Sequence, residues 1–99
     1  MTLTGYVCLL RVKIHADKVG EFKQLIHKLR LDTVREIAGV TFYEFLSTVD
    51  PLVFVMVQGF ESEEAYRLYA NAPFHLEMAP AGWACLDGDP TIEFLSPVG

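Results

Sequence analysis

Leu52–Phe60 reads LVFVMVQGF, an uncharged run dominated by Val, Phe and Met. In an extended chain alternate side chains point to opposite faces. Val53, Val55 and Val57 therefore share one side, and Phe54, Met56, Gln58 and Phe60 the other. Both sides are apolar. That pattern belongs to a central strand whose sheet is covered on both faces.

Working outward, Asp50-Pro51 is a turn signal, and Val40–Val49 (VTFYEFLSTV) before it is dense in β-branched and aromatic residues. The two runs predict a hairpin. On the other side lies Gln58–His75, QGFESEEAYRLYANAPFH. Ser62 is suited to cap a helix, and Glu63 and Glu64 favour the positive end of its dipole. Ala65, Leu68, Tyr69 and Ala72 form the expected inner face, with Tyr66 exposed or at an interface. Pro73 disfavours helical geometry at Ala72, which ends the helix near Asn71. Pro73 also suits the first position of a short helical turn, Phe74 to Ala79. Pro80–Cys85 reads as irregular or as one further turn carrying Trp83.

The ends of the chain complete the pattern. Tyr6–Ile14 (YVCLLRVKI) predicts a first strand, apolar at every even position and half apolar on the odd side. Asp17 is the expected cap of a helix whose stripe, Phe22, Leu25, Ile26, Leu29, Thr33 and Ile37, runs from Glu21 to Ile37. Asp87-Gly88-Asp89-Pro90 is a turn cluster before a last strand, Thr91–Ser96. The order is β-α-β-β-α-β over a single domain, residues 1–99. Right-handed crossovers then predict an α+β, ferredoxin-like fold: a four-stranded antiparallel sheet with its helices on one face.

Helices on one face leave the other face of an apolar central strand uncovered. The chain is 52% hydrophobic with a mean hydropathy of +0.28, more than one small core needs at this length. Back-to-back packing of two sheets in a homodimer accommodates the surplus. A membrane is not expected to take it, because the longest uncharged run falls far short of the roughly 20 residues of a spanning helix. The N-terminal run is broken by Arg11 and Lys13 and does not read as a signal peptide. The net charge of −5, with eight scattered Lys and Arg, argues against nucleic acid as a partner. Cys8 and Cys85 are the only cysteines, and no Cys/His cluster has metal-ligand spacing. A cytoplasmic, reducing location is the expectation.

Several motifs converge on one family. They are Gly39-Val40 followed by Phe42-Tyr43-Glu44, Asp50-Pro51, Phe60 ahead of the acidic helix, Ala72-Pro73-Phe74-His75, and Leu86-Asp87-Gly88. Over its whole length the chain resembles the antibiotic biosynthesis monooxygenases of the dimeric α+β barrel group. That resemblance implies a ferredoxin-like dimer. It further implies a monooxygenase that uses O2 without metal or flavin on an aromatic or enolisable small molecule. The alternative is a non-oxygenase dimer of the same fold, either a small-metabolite binding module or an isomerase. The chain departs from the family's common pattern in four places. Gln58 and Phe60 stand where Glu and Trp are usual, Tyr69 where His is usual, and Phe74-His75 reverses the usual order after the proline.

Such chemistry needs an apolar pocket and a group that takes a proton from an acidic phenol or enol. His75 is the natural base, because imidazole titrates near neutrality. Tyr69 is a candidate to orient a substrate oxygen. Glu44, a carboxylate within an apolar strand, is an alternative base. Gln58, Phe54, Met56, Phe60, Phe74 and Trp83 are candidate substrate-binding residues. No metal site and no cofactor are expected.

Overall fold

The computed structural model describes residues 5–98. Its elements run β1 (Tyr6–Lys13), a 3-10 turn (Ala16–Lys18), α1 (Val19–Glu36), β2 (Val40–Ser47), β3 (Val53–Phe60), α2 (Glu63–Ala70), α3 (Pro73–Ala84) and β4 (Thr91–Leu95). The four strands form one antiparallel sheet in the order β2-β3-β1-β4. This is the ferredoxin-like arrangement expected from the sequence, with the second crossover made by two helices instead of one.

Register assigns the two faces. Tyr6 pairs with Phe60, Cys8 with Gln58, Leu10 with Met56 and Val12 with Phe54. Tyr43 pairs with Gln58 and Phe45 with Met56 across the hairpin. These side chains meet Phe22, Ile26 and Leu29 of α1 and Ala65 and Tyr69 of α2, forming the core. Thr33, fully buried in α1, satisfies its hydroxyl by donating to the Leu29 carbonyl at 2.6 Å.

The opposite face carries Val7, Leu9 and Arg11 of β1, Phe42, Glu44 and Leu46 of β2, and Val53, Val55 and Val57 of β3. Glu93 and Leu95 of β4 continue it. No element of the chain covers this face among the described residues. Leu46 is 46% and Leu95 43% exposed there. Gly59 is needed on this side. A Cβ at Gly59 would collide with the Phe42 ring and the Thr41 hydroxyl, where β2 shifts register between Val40 and Phe42.

Three local expectations change. Asp17 does not cap α1. The 3-10 turn runs straight into the helix, so Lys18 takes the cap position without a side-chain bond. Leu68 is exposed, not inward. The two-turn helix α2 is rolled so that Tyr66 packs instead, against Phe60 at 5.5 Å and Phe94 at 5.2 Å between ring centres. The larger aromatic surface gains more from burial than a leucine does. Of the two readings of Pro80–Cys85 the helical one holds, since α3 continues through Pro80 to Ala84. Pro80 itself is exposed, while Gly82 and Cys85 hold the last turn in the interior. The strands are also slightly shorter than expected, β2 ending at Ser47 and β4 at Leu95.

Candidate active site

Between the sheet and the paired helices α1 and α3 lies a cavity of about 50 Å³. Apolar atoms of Leu10, Ile26, Leu29, Met56 and Met78 make most of its wall. Its polar groups come from Tyr43, Gln58, Tyr69 and His75, and Trp83, 48% exposed, stands at its mouth.

Each polar group is delivered by a different element. Pro73 begins α3 directly after Ala72, whose extended backbone (ψ 140°) turns the chain out of α2. His75 follows in the first turn, its amide donating to the Ala72 carbonyl at 3.0 Å. Tyr69 lies in the last turn of α2, a helix started by Ser62, whose hydroxyl accepts from the Ala65 amide at 3.1 Å. Gln58 and Tyr43 arrive as a cross-strand pair of the hairpin. Arg30 of α1 reinforces that pair, its Nε donating to the Tyr43 carbonyl at 2.6 Å.

The imidazole of His75 lies against the Tyr69 ring, 4.7 Å between centres. Its Nδ1 is 3.0 Å from the Ala70 carbonyl oxygen. A carbonyl only accepts, so Nδ1 carries the hydrogen and Nε2 keeps the lone pair. Burial lowers the pKa of His75, opposed in part by the Ala70 hydrogen bond. The ring is therefore neutral near pH 7, with Nε2 ready to accept a proton.

The phenols behave in the opposite sense. Burial pushes Tyr43 up to about 12, while the nearby Tyr69 and Gln58 side chains pull it down. Burial raises Tyr69 further still, helped by Tyr43. Both hydroxyls stay protonated at neutral pH and act as donors. Gln58 Nε2 makes a long contact, 3.5 Å, to the Tyr69 hydroxyl oxygen. The Tyr43 hydroxyl is completely buried beside these two side chains, though none of the described residues gives it a hydrogen bond of good geometry.

Of the candidate residues, His75, Tyr69, Gln58, Met56 and Trp83 meet at this cavity. The other four lie elsewhere. Glu44 is exposed and pairs with Val57 on the opposite side of the sheet from Tyr43, away from the cavity. Phe60 packs behind Tyr69 at 5.4 Å between ring centres and supports it. Phe54 packs with Phe22 and Phe45 at the far end of the core. Phe74 lies in a separate groove beside Lys28, Asp32 and Arg35 of α1. The reversed Phe74-His75 order thus puts the imidazole, not the phenyl ring, at the cavity. Tyr43 was not among the residues expected here. A turn centred on Asp50-Pro51 sets it opposite Gln58, and that register was the available signal.

A family profile for antibiotic biosynthesis monooxygenases matches residues 5–81, and the chain belongs to that family. Solved structures repeat its fold at low identity. A conserved protein from Methanosarcina mazei Go1 aligns with a TM-score of 0.86 at 18% identity, covering 92% of this chain and 90% of its own. Rv0793 from Mycobacterium tuberculosis aligns at 0.87 and 17% identity, covering 95% of each chain. SnoaB, a cofactor-independent oxygenase from Streptomyces nogalater, aligns at 0.81 and 16% identity, covering 92% of this chain and 90% of its own. No curated protein matches in sequence. Among the described residues, no helix is long and apolar enough to cross a membrane, and Cys8 and Cys85 are both free thiols.

Proposed function

We propose that this protein is a cofactor-independent monooxygenase acting on an aromatic or enolisable small molecule, and that it works as a homodimer joined through the open sheet face. Membership of the family supports the reaction class, as does the fold shared with an enzyme described as a cofactor-independent oxygenase. The observation that carries the reading is the His75–Ala70 hydrogen bond, which leaves Nε2 as a neutral base at the wall of a mainly apolar cavity.

In this mechanism His75 Nε2 takes a proton from a phenolic hydroxyl or an activated carbon. The resulting anion gives one electron to O2, and the two radicals combine to form a carbon–peroxide bond. The O–O bond then breaks. One oxygen atom stays in the product as a carbonyl, and the other leaves as water with the two hydrogens lost by the substrate. The apolar walls hold water away from the anion, and Tyr69 and Gln58 orient its oxygen. A cavity of about 50 Å³ is far below the roughly 300 Å³ at which drug-sized ligand pockets begin. It receives the reacting end of the substrate, and the remainder lies across Trp83 at the mouth.

Oxygen uptake with a panel of phenols, comparing wild type with His75→Ala, tests the proposal. Equal rates would remove His75 from the mechanism. Proton transfer without O2 consumption would favour the isomerase reading, which needs the same base but no oxidant.

A further inference from the structure

A second groove, of about 380 Å³, opens between α1 and the β2–β3 hairpin and shares no lining residue with the cavity at His75. Its size falls within the range of small-molecule sites. Lys23, His27 and Arg30 line it from one face of α1, at the spacing of successive helical turns. Phe45 and Phe54 line it from the hairpin, their ring centres 5.3 Å apart. The His27 imidazole stands edge-on to Phe45, 6.3 Å between centres and 90° between planes. The Lys23 ammonium lies 5.8 Å from the centre of the Phe54 ring. The cations of this groove have no carboxylate partner. Among the described residues, Lys13, Lys18, Lys28, Arg35 and Arg67 each lie within 4.0 Å of one. Lys23 and Arg30 do not, although the chain has 13 acidic residues to its eight Lys and Arg. Arg30 uses only Nε, on the Tyr43 carbonyl. That bond fixes the guanidinium and leaves its two amino groups without a hydrogen bond to the described residues, so little side-chain freedom is left to lose on binding.

We infer that this groove is a second ligand site, for a small monoanionic aryl carboxylate whose ring packs against Phe45 and Phe54 and whose carboxylate is held by Lys23 and Arg30. The aromatic floor selects a flat apolar body, and the guanidinium selects a planar, two-oxygen anion. Glu44 is the one acidic residue lining the groove. With Lys23 and Arg30 it leaves a single net positive charge, which matches a monoanion. A phosphate dianion would meet the Glu44 carboxylate as well as the two cations, and pays for that in repulsion. Lys23, His27 and Arg30 belong to α1, on the helix side of the sheet, so the site stays open when two copies pack through the opposite face. It takes nothing from the proposed oxygenase reaction, and neither stands or falls with the other.

The test is an amide NMR titration of the isotopically labelled protein at low salt. The probe is 2-naphthoate, with 2-naphthamide as its neutral counterpart and inorganic phosphate as an anion without the ring. Wild type is expected to bind 2-naphthoate saturably, with shifts centred on residues 23–30 and 44–47 and not on those around His75. Lys23→Gln should weaken that binding about threefold, the loss expected for one partly screened ion pair. Glu44→Gln should strengthen it about twofold by removing the opposing charge. Both side chains are exposed, so both variants should melt with wild type. The neutral amide should bind more weakly than the carboxylate, and equally to wild type and Lys23→Gln. No saturable binding of 2-naphthoate, equal affinities of wild type and Lys23→Gln for it, shifts centred on the His75 cavity, or phosphate bound as tightly as 2-naphthoate would each overturn the assignment.

Discussion

The carbonyl oxygen of Ala70 lies 3.0 Å from Nδ1 of His75, across the break between α2 and α3. The link is short in sequence and depends on Pro73, which lies just past the end of α2 and starts α3. Burial lowers the His75 pKa below its ordinary value. Activity is therefore expected to be full near neutral pH and to fall with acid as the ring is protonated, with a midpoint below the usual histidine value. The stability consequence has the same sign. The unfolded chain binds the proton more readily, so stability is highest above the ordinary histidine pKa and is lost as pH falls through the lowered one. An imidazole NMR titration checks the pKa. His75→Ala should lower kcat by about 100-fold or more and should remove this part of the acid sensitivity of the melting temperature.

Arg30 and Tyr43 provide a second link, between α1 and the edge strand β2. The 2.6 Å bond from Arg30 Nε to the Tyr43 carbonyl occupies an acceptor on the edge of the sheet. Charge-assisted hydrogen bonds contribute roughly 1.5–3 kcal/mol when well buried. This one is only partly buried, so Arg30→Ala is expected to cost about 1 kcal/mol in urea denaturation. Arg30→Lys should recover part of the loss, since an ammonium lacks the planar fork that presents Nε to the carbonyl. Ligand binding should weaken in step with the loosening of Tyr43. A variant with unchanged stability and unchanged affinity would show that this clamp does not position the site.

The fold was legible because its strongest signals are local and redundant. The two apolar sides of Val53–Phe60 required a central strand, and Ser62, Glu63 and Pro73 marked both ends of a helix. The site was legible only in part. His75 and Tyr69 flank a visible punctuation mark, the proline. Tyr43 carries no such mark. A polar residue in an apolar strand draws notice, which favoured Glu44, yet strand parity decides orientation and sends Glu44 outward. Leu68 and Tyr66 exchanged places for a related reason. In a two-turn helix the roll about the axis is set by what the neighbours offer, and the rings of Tyr6, Phe60 and Phe94 receive Tyr66.

The open sheet face predicts how the chain assembles. Leu9, Val55 and Val57 lie at its centre, with Arg11 and Lys13 towards one end and Glu44 and Glu93 elsewhere on the same face. A two-fold partner can bury the apolar centre and bring opposite charges together. Leu9→Lys places a charge in the middle of this surface, next to its strand partner Glu93, so the single chain should tolerate it. Sedimentation is expected to show a dimer for wild type and a monomer for Leu9→Lys at the same micromolar concentration. A wild-type monomer would mean that the face is covered in some other way.

Gly82 separates the requirements of the site from those of the fold. It is buried in α3 and lines the cavity, and a Cβ there would meet only the Met78 sulfur, at 3.3 Å. Met78 is half-buried and flexible enough to yield a few tenths of an ångström. Alanine in place of a helical glycine gains up to about 1 kcal/mol from backbone entropy. Gly82→Ala should therefore leave stability unchanged or slightly raised while narrowing a cavity that is already small. Ligand affinity is expected to fall several-fold, and Trp83→Ala, which opens the mouth, should shift preference towards bulkier phenols. Thermal melting with binding titrations of a graded series of phenols checks both. If Gly82→Ala lost stability and affinity together, the contact with Met78 would be rigid and α3 would be part of the core instead of an adaptable wall.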